Sequence, residues 1–199
     1  MPDPRLGVHH VTGTVGDAAA CVPVRCHYDN RPHPITQFDE EPQMSKIHIV
    51  RDYAYPVATV WRALTDPALI PRWTSTGAGG RPEGFSTSVG TRFRFVAKPG
   101  LKPGWNGIVN CVVLEVQEPT LLRYSWQDDG GGEITEVIYR LEPHAGGTRF
   151  TYDHTGFSGI GGFAMSRLLG NVRRKMLTVG LPAVLAEVTR TEEPAHEMA

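Results

Sequence analysis

The chain has 199 residues, 40% of them hydrophobic and 21% charged, and carries a formal net charge of -1. That is ordinary globular composition, long enough for one domain with a sizeable core, and the near-neutral balance argues against a nucleic-acid partner, which would call for a basic stripe. No apolar run approaches the ~20 residues needed to cross a bilayer, and the sparse, odd set Cys21, Cys26 and Cys111 argues against a disulfide framework and fits a reducing cytosol.

Residues 1–44 come first and differ from the rest. Prolines recur at Pro2, Pro4, Pro23, Pro32, Pro34 and Pro42, and no apolar period is sustained. The segment therefore reads as a poorly structured N-terminal tail, with at most one loosely docked stretch near residues 21–27. Its opening, Met1-Pro2-Asp3-Pro4-Arg5, lacks the basic-then-apolar layout of a secretion signal and points to a cytoplasmic protein. Met44-Ser45-Lys46 leads straight into a strand, which makes Met44 a candidate start of the native protein. Cys21, Cys26, His27 and His33, with His9 and His10 nearby, have the residue types of a zinc site, but the spacing fits no common finger, so no metal is expected.

From Lys46 the pattern sharpens. Ile47-His48-Ile49-Val50 with Tyr53 reads as a first strand. Pro56 fits the first position of a helix, and Val57, Val60, Trp61 and Leu64 then form one apolar stripe. Asp66 as N-cap and Pro67 as first residue open a second helix, which Pro71 must keep short. Residues 77–90 read as a glycine-rich connection. Five strand-like runs follow, at 92–96, 108–116, 121–126, 134–141 and 148–154, joined by hairpin turn chemistry at 127–132 and 143–147. Consecutive hairpins imply an antiparallel meander. The last element is a helix with Met165, Leu168, Leu169, Val172 and Met176 as its apolar stripe. Arg173, Arg174 and Lys175 read as its wet face. Gly180 and Pro182 should kink or break it before 183–188 resumes, and 191–199 reads as a disordered C-terminus. The layout is α+β: a curved antiparallel sheet wrapped around a long C-terminal helix, with two short helices after the first strand, all within residues 45–190. A gap between such a sheet and its helix is a natural small-molecule site.

The stretch Tyr55-Pro56-Val57-Ala58-Thr59-Val60-Trp61-Arg62-Ala63-Leu64-Thr65-Asp66-Pro67, ending at Trp73, resembles the opening signature of the SRPBCC superfamily. More narrowly it resembles the domain named after the activator of heat-shock protein 90 ATPase. Later features agree in order: Val89-Gly90-Thr91-Arg92-Phe93-Arg94-Phe95; Gly107 leading to Leu114-Glu115-Val116-Gln117-Glu118-Pro119; Leu122-Arg123-Tyr124-Ser125-Trp126; and Leu141-Glu142-Pro143 with Gly146-Gly147-Thr148, then His154-Thr155-Gly156-Phe157. The resemblance implies a START-like helix-grip fold with a hydrophobic cavity. Members bind lipids, hormones or polyketides, sequester toxic metabolites, or catalyse cyclisation, and one branch stimulates a chaperone. Pro71, Gly180 and Pro182 depart from the pattern, as does the long tail.

Strand alternation assigns the faces. Phe93 and Phe95 oppose Arg92 and Arg94; Leu122, Tyr124 and Trp126 oppose Arg123 and Ser125; Val137, Tyr139 and Leu141 oppose Glu136 and Arg140; Phe150, Tyr152 and His154 oppose Arg149, Thr151 and Asp153. In the long strand Asn110 and Glu115 have opposite parity, so a bulge near Val113-Leu114 is expected, with Val109, Cys111, Leu114 and Val116 inward. The inner face then gathers Phe93, Phe95, Cys111, Tyr124, Trp126, Tyr139, Tyr152 and His154, with Trp61, Trp73, Met165 and Leu169 from the helices and Trp105 from a loop, as candidate ligand-binding residues. Each reads equally as core packing. His154 is either a cavity acid or base or a strand-end histidine bonded to a loop carbonyl, the second being preferred.

Gly156-Phe157-Ser158-Gly159-Ile160 lies where a nucleophile elbow would, but its second glycine is displaced, and a flexible gate fits better. Three functions remain open. The first is binding or sequestration of a small apolar or aromatic molecule, without catalysis or cofactor, by a monomer or homodimer in a bacterial-type stress or resistance role. The second is a cyclase, aromatase or hydrolase acting on a polyketide-like substrate, with His154, Tyr139 and Arg94 as its polar groups. The third is a module that contacts a chaperone ATPase, which rests on the resemblance alone.

Overall fold

The computed structural model describes residues 45–74, 80–98 and 106–196. The tail 1–44, with its Cys/His group and Met44, lies outside the described residues, as do Trp105 and 197–199.

Alternation builds the sheet. In β1 (Ser45–Tyr53), Ile47, Ile49 and Tyr53 are buried while their neighbours face out. The remaining strands are β2 (Arg81–Glu83), β3 (Arg92–Val96), β4 (Ile108–Gln117), β5 (Leu121–Asp128), β6 (Thr135–His144) and β7 (Gly147–Phe157). All seven form one antiparallel sheet in the order β1-β7-β6-β5-β4-β3-β2, so β1 crosses over to pair with β7. β2 lies inside the stretch that the sequence suggested was a connection. It is three residues long and pairs only with β3, and Pro82 is tolerated there because an edge strand needs no N–H on its open side.

The bulge in β4 is present: Val113 pairs with Tyr124 but Glu115 with Arg123, leaving Leu114 as the extra residue. Val109, Cys111 and Val113 are buried before it, and Val116 pairs with Leu122 after it. Val113, not Leu114, therefore takes the inward place, because the bulge falls one position later than the sequence implied. Between β6 and β7, Ala145 and Gly146 turn the chain with φ of 47° and 79°, the double positive φ of a type I′ hairpin.

Helix α1 (Val57–Thr65) buries Val60, Trp61, Ala63 and Leu64. Pro56 is its N-cap, with ψ 151°, one residue outside the first-turn place expected for it. Asp66 ends α1, and its carboxylate accepts a hydrogen bond from the Ala68 N–H at 2.8 Å. That turn occupies Pro67, so α2 begins only at Ile70 and spans Ile70–Trp73. Pro71 then sits in the first turn, where a missing N–H costs little, rather than interrupting a helix already under way.

The C-terminal helix runs as α3 (Gly159–Lys175), a π-helical turn (Met176–Gly180) and α4 (Leu181–His196). Of the kink or break expected at Gly180 and Pro182, the break does not occur, and the irregularity takes the form of the π-helical turn that ends at Gly180. Gly180 lets α2 approach: a Cβ there would lie 2.6 Å from the Trp73 carbonyl oxygen. The Tyr53 hydroxyl donates to the Leu177 carbonyl at 2.8 Å, tying β1 to the same turn. Helix also continues past 190 to His196, beyond the end read from sequence. α3 packs on β1 and β7, and α4 on α1 and α2. Val60, Leu64, Val137, Phe150, Leu181 and Leu185 fill the core, each burial contributing about 1.5–3 kcal/mol. The fold is the helix grip.

Candidate functional site

Sheet and helix do not meet everywhere. Between the inner face of β3–β6 and α3 lies a cavity of about 370 Å³, within the range of small-molecule sites. Phe95, Val109, Tyr124, Trp126, Thr135 and Tyr139 line it from the sheet, and Met165, Leu169, Val172, Arg173 and Met176 from the helix. Gly131, Gly132, Glu133 and Gly161, all solvent-exposed, mark its mouth.

Six of the residues selected from sequence therefore line the cavity: Phe95, Tyr124, Trp126, Tyr139, Met165 and Leu169. Others are packed away from it. Trp61 is core, and so is Trp73, whose indole N–H donates to the Ala63 carbonyl at 2.8 Å. Phe93 sits edge-on against Phe85, Phe95 and Tyr124. Cys111 is buried behind the lining, and burial pushes its thiol well above the usual range. Tyr152 and His154 lie one layer deeper. Arg94 faces water and pairs with Glu83 at 2.9 Å.

The residue that sequence reading placed wrongly is Arg173. It is not on the wet face of α3 but lines the cavity. Its Nε donates to the Tyr152 hydroxyl at 3.0 Å, and its guanidinium carbon lies 4.8 Å from the Trp126 ring centre. The signal was present: 173 follows Leu169 by four and precedes Met176 by three, which puts it on the stripe. Burial opposes its charge, the Tyr152, Tyr124 and Tyr139 hydroxyls favour it, and the balance is raised, so it is a permanent cation.

A directed chain of hydrogen bonds stands behind it. Thr135 donates to the Trp126 carbonyl at 3.1 Å, so its oxygen must accept from His154 Nε2–H at 2.8 Å. That fixes the tautomer and leaves Nδ1 to accept from the Tyr152 hydroxyl at 3.4 Å, whose oxygen accepts from Arg173. His154 is thus bonded to a threonine hydroxyl, not to a loop carbonyl. Burial, then the charge of Arg173, hold its pKa down at about 3, so it stays neutral. Burial raises the Tyr124, Tyr139 and Tyr152 hydroxyls, which also stay neutral. The Tyr124 and Tyr139 hydroxyls bond each other at 2.9 Å. The arrangement can bind a ring-bearing molecule and present it with oriented donors.

Among the described residues no helix is long and apolar enough to cross a membrane. Solved structures share the fold. Protein MLL2253 from Mesorhizobium loti is 25% identical, with a TM-score of 0.60 over 72% of this chain and 98% of that one. CalU16 from Micromonospora echinospora is 24% identical, with a TM-score of 0.54 over 78% of this chain and 85% of that one. DynU16, described as a putative protein in the dynemicin biosynthetic locus, is 20% identical, with a TM-score of 0.57 over 71% of this chain and 47% of that one. No curated protein matches the chain. The family described as Activator of Hsp90 ATPase homolog 1-like protein matches residues 54–167, more than half the chain, and the protein belongs to that family.

Proposed function

We propose that the protein binds and sequesters a small, mostly apolar aromatic molecule in the cavity between sheet and helix. The observation that carries this reading is the wall itself. The rings of Phe95, Trp126, Tyr124 and Tyr139 face Met165, Leu169 and Val172 across about 370 Å³, and aromatic walls favour ring-bearing guests through stacking and edge contacts. Membership of a family within a ligand-binding superfamily fits it, as does the fold shared with DynU16, a putative protein in the dynemicin biosynthetic locus.

Sequestration is favoured over turnover by the placement of the titratable groups. Among the described residues no histidine lines the cavity, His154 is held neutral behind it, and the lining tyrosines have raised pKa values. None of those imidazole and phenol groups shuttles a proton near neutral pH, and the two lining carboxylates, Asp128 and Glu133, lie at the β5–β6 hairpin end, where Glu133 is solvent-exposed and held by Ser158. The test is a titration with the neutral dye N-phenyl-1-naphthylamine, with and without Trp126→Phe. Saturable dye emission excited through tryptophan, weakened in the variant, is the expected result. Failure of this dye and of a panel of aromatic competitors to bind would end the reading.

A further inference from the structure

Arg173 is a cation lining an otherwise largely apolar cavity, and its donors are not used up. A guanidinium has five N–H groups. One bonds the Tyr152 hydroxyl at 3.0 Å and one meets the Met176 sulfur at 3.4 Å; the others have no partner among the described residues. No ion pair among those residues includes Arg173. Two carboxylates line the cavity: Glu133 at the mouth is engaged by the backbone N–H and hydroxyl of Ser158, and Asp128 forms no ion pair with Arg173. A charge in such surroundings destabilises the fold unless a counter-charge arrives.

A second, independent feature points the same way. The Tyr124 and Tyr139 hydroxyls carry two protons between them, and the single 2.9 Å bond joining them uses one. The other is a spare donor on two residues that line the cavity.

Resting on the ligand-binding reading above, we propose that the guest carries an oxyanion, such as a carboxylate or an ionised phenol or enol. It sits on the unused N–H groups of Arg173 and the spare hydroxyl proton of the Tyr124–Tyr139 pair, with its rings against Trp126 and Phe95. The chain Tyr152–His154–Thr135 then has a role: it holds the guanidinium from behind and leaves its open edge to the ligand.

Two dyes of one ring skeleton test this, N-phenyl-1-naphthylamine, which is neutral, and 8-anilinonaphthalene-1-sulfonate, which adds one anionic group. The wild type should bind the sulfonate at least about tenfold more tightly than the amine. Arg173→Met should remove that preference by weakening the sulfonate, and Arg173→Lys should retain part of it. On the wild type alone, 2-naphthoate should displace either dye better than 2-naphthylmethanol, a comparison that needs no variant to fold. If amine and sulfonate bind equally and naphthoate has no advantage, the oxyanion proposal is overturned while the cavity reading stands. If no probe binds saturably, the cavity reading falls and this proposal with it.

Discussion

Replacing His154 with glutamine tests the hydrogen-bonded chain behind Arg173 through its effect on acid stability. His154 is fully buried, and burial with the Arg173 charge brings its pKa from 6.5 to about 3 in the folded state. A group depressed in this way contributes stability that is whole above 6.5 and is lost as pH falls toward 3, because the unfolded chain takes up the proton first. Each unit is worth about 1.4 kcal/mol, so between about pH 7 and pH 4.5 this single residue should withdraw roughly 3 kcal/mol from the folded state. Glutamine keeps a donor for Thr135 and an acceptor for Tyr152 but does not titrate. Urea unfolding of both proteins at the two pH values isolates the difference, since every other titrating group is common to both. The wild type should lose about 3 kcal/mol more than the variant on acidification. Equal losses would mean that His154 is not a buried neutral partner, and the hydrogen-bond direction derived for the chain would be wrong.

Leu169→Trp places a large ring in the cavity from α3; dye binding should fall at least tenfold while the melting temperature holds or rises, since filled space adds contacts. Lost dye binding with an unfolded variant would carry no support for the cavity, so circular dichroism accompanies the titration. Gly147→Ala should destabilise the fold by about 2 kcal/mol or more, because a Cβ would lie 2.1 Å from the Tyr53 carbonyl oxygen on the paired strand. A urea midpoint within experimental error of the wild type would show that β1 does not lie so close to β7 at that point.

Much of the fold was legible because its signals are local. Alternation in Leu122-Arg123-Tyr124-Ser125-Trp126 and Phe150 to His154 names the inner face without any tertiary information, and the conflicting parity of Asn110 and Glu115 announces the bulge. What failed depended on neighbours distant in sequence. Gly180 and Pro182 look like helix breakers in isolation, yet Gly180 is required by the Trp73 carbonyl and the π turn preserves the helix. Pro71 looks like an interruption only if the second helix starts at Pro67; the Asp66 turn moves that start to Ile70. β2 is too short to show a period, and only its pairing with β3 defines it.

The site was half legible for a related reason. Alternation says which side a residue faces but not whether it meets packing or space, so Phe93 and Phe95, on one face, part company: Phe93 is core and Phe95 lines the cavity. Arg173 was assigned by its charge, as part of a basic run, against its helical position. Position on the stripe outweighs charge once Tyr152 and Trp126 are there to hold the guanidinium.

The position of a bound guest is the feature on which cavity binding stands or falls. Intermolecular nuclear Overhauser contacts between 8-anilinonaphthalene-1-sulfonate and assigned methyl groups decide that in solution. The prediction is contacts to the methyls of Met165, Leu169 and Val172, which line the hollow, and none to those of Val60, Leu64 and Leu185 in the sealed core. Contacts confined to the exposed side chains of Ile160 and Val179 would place the dye on the outer surface and contradict the account.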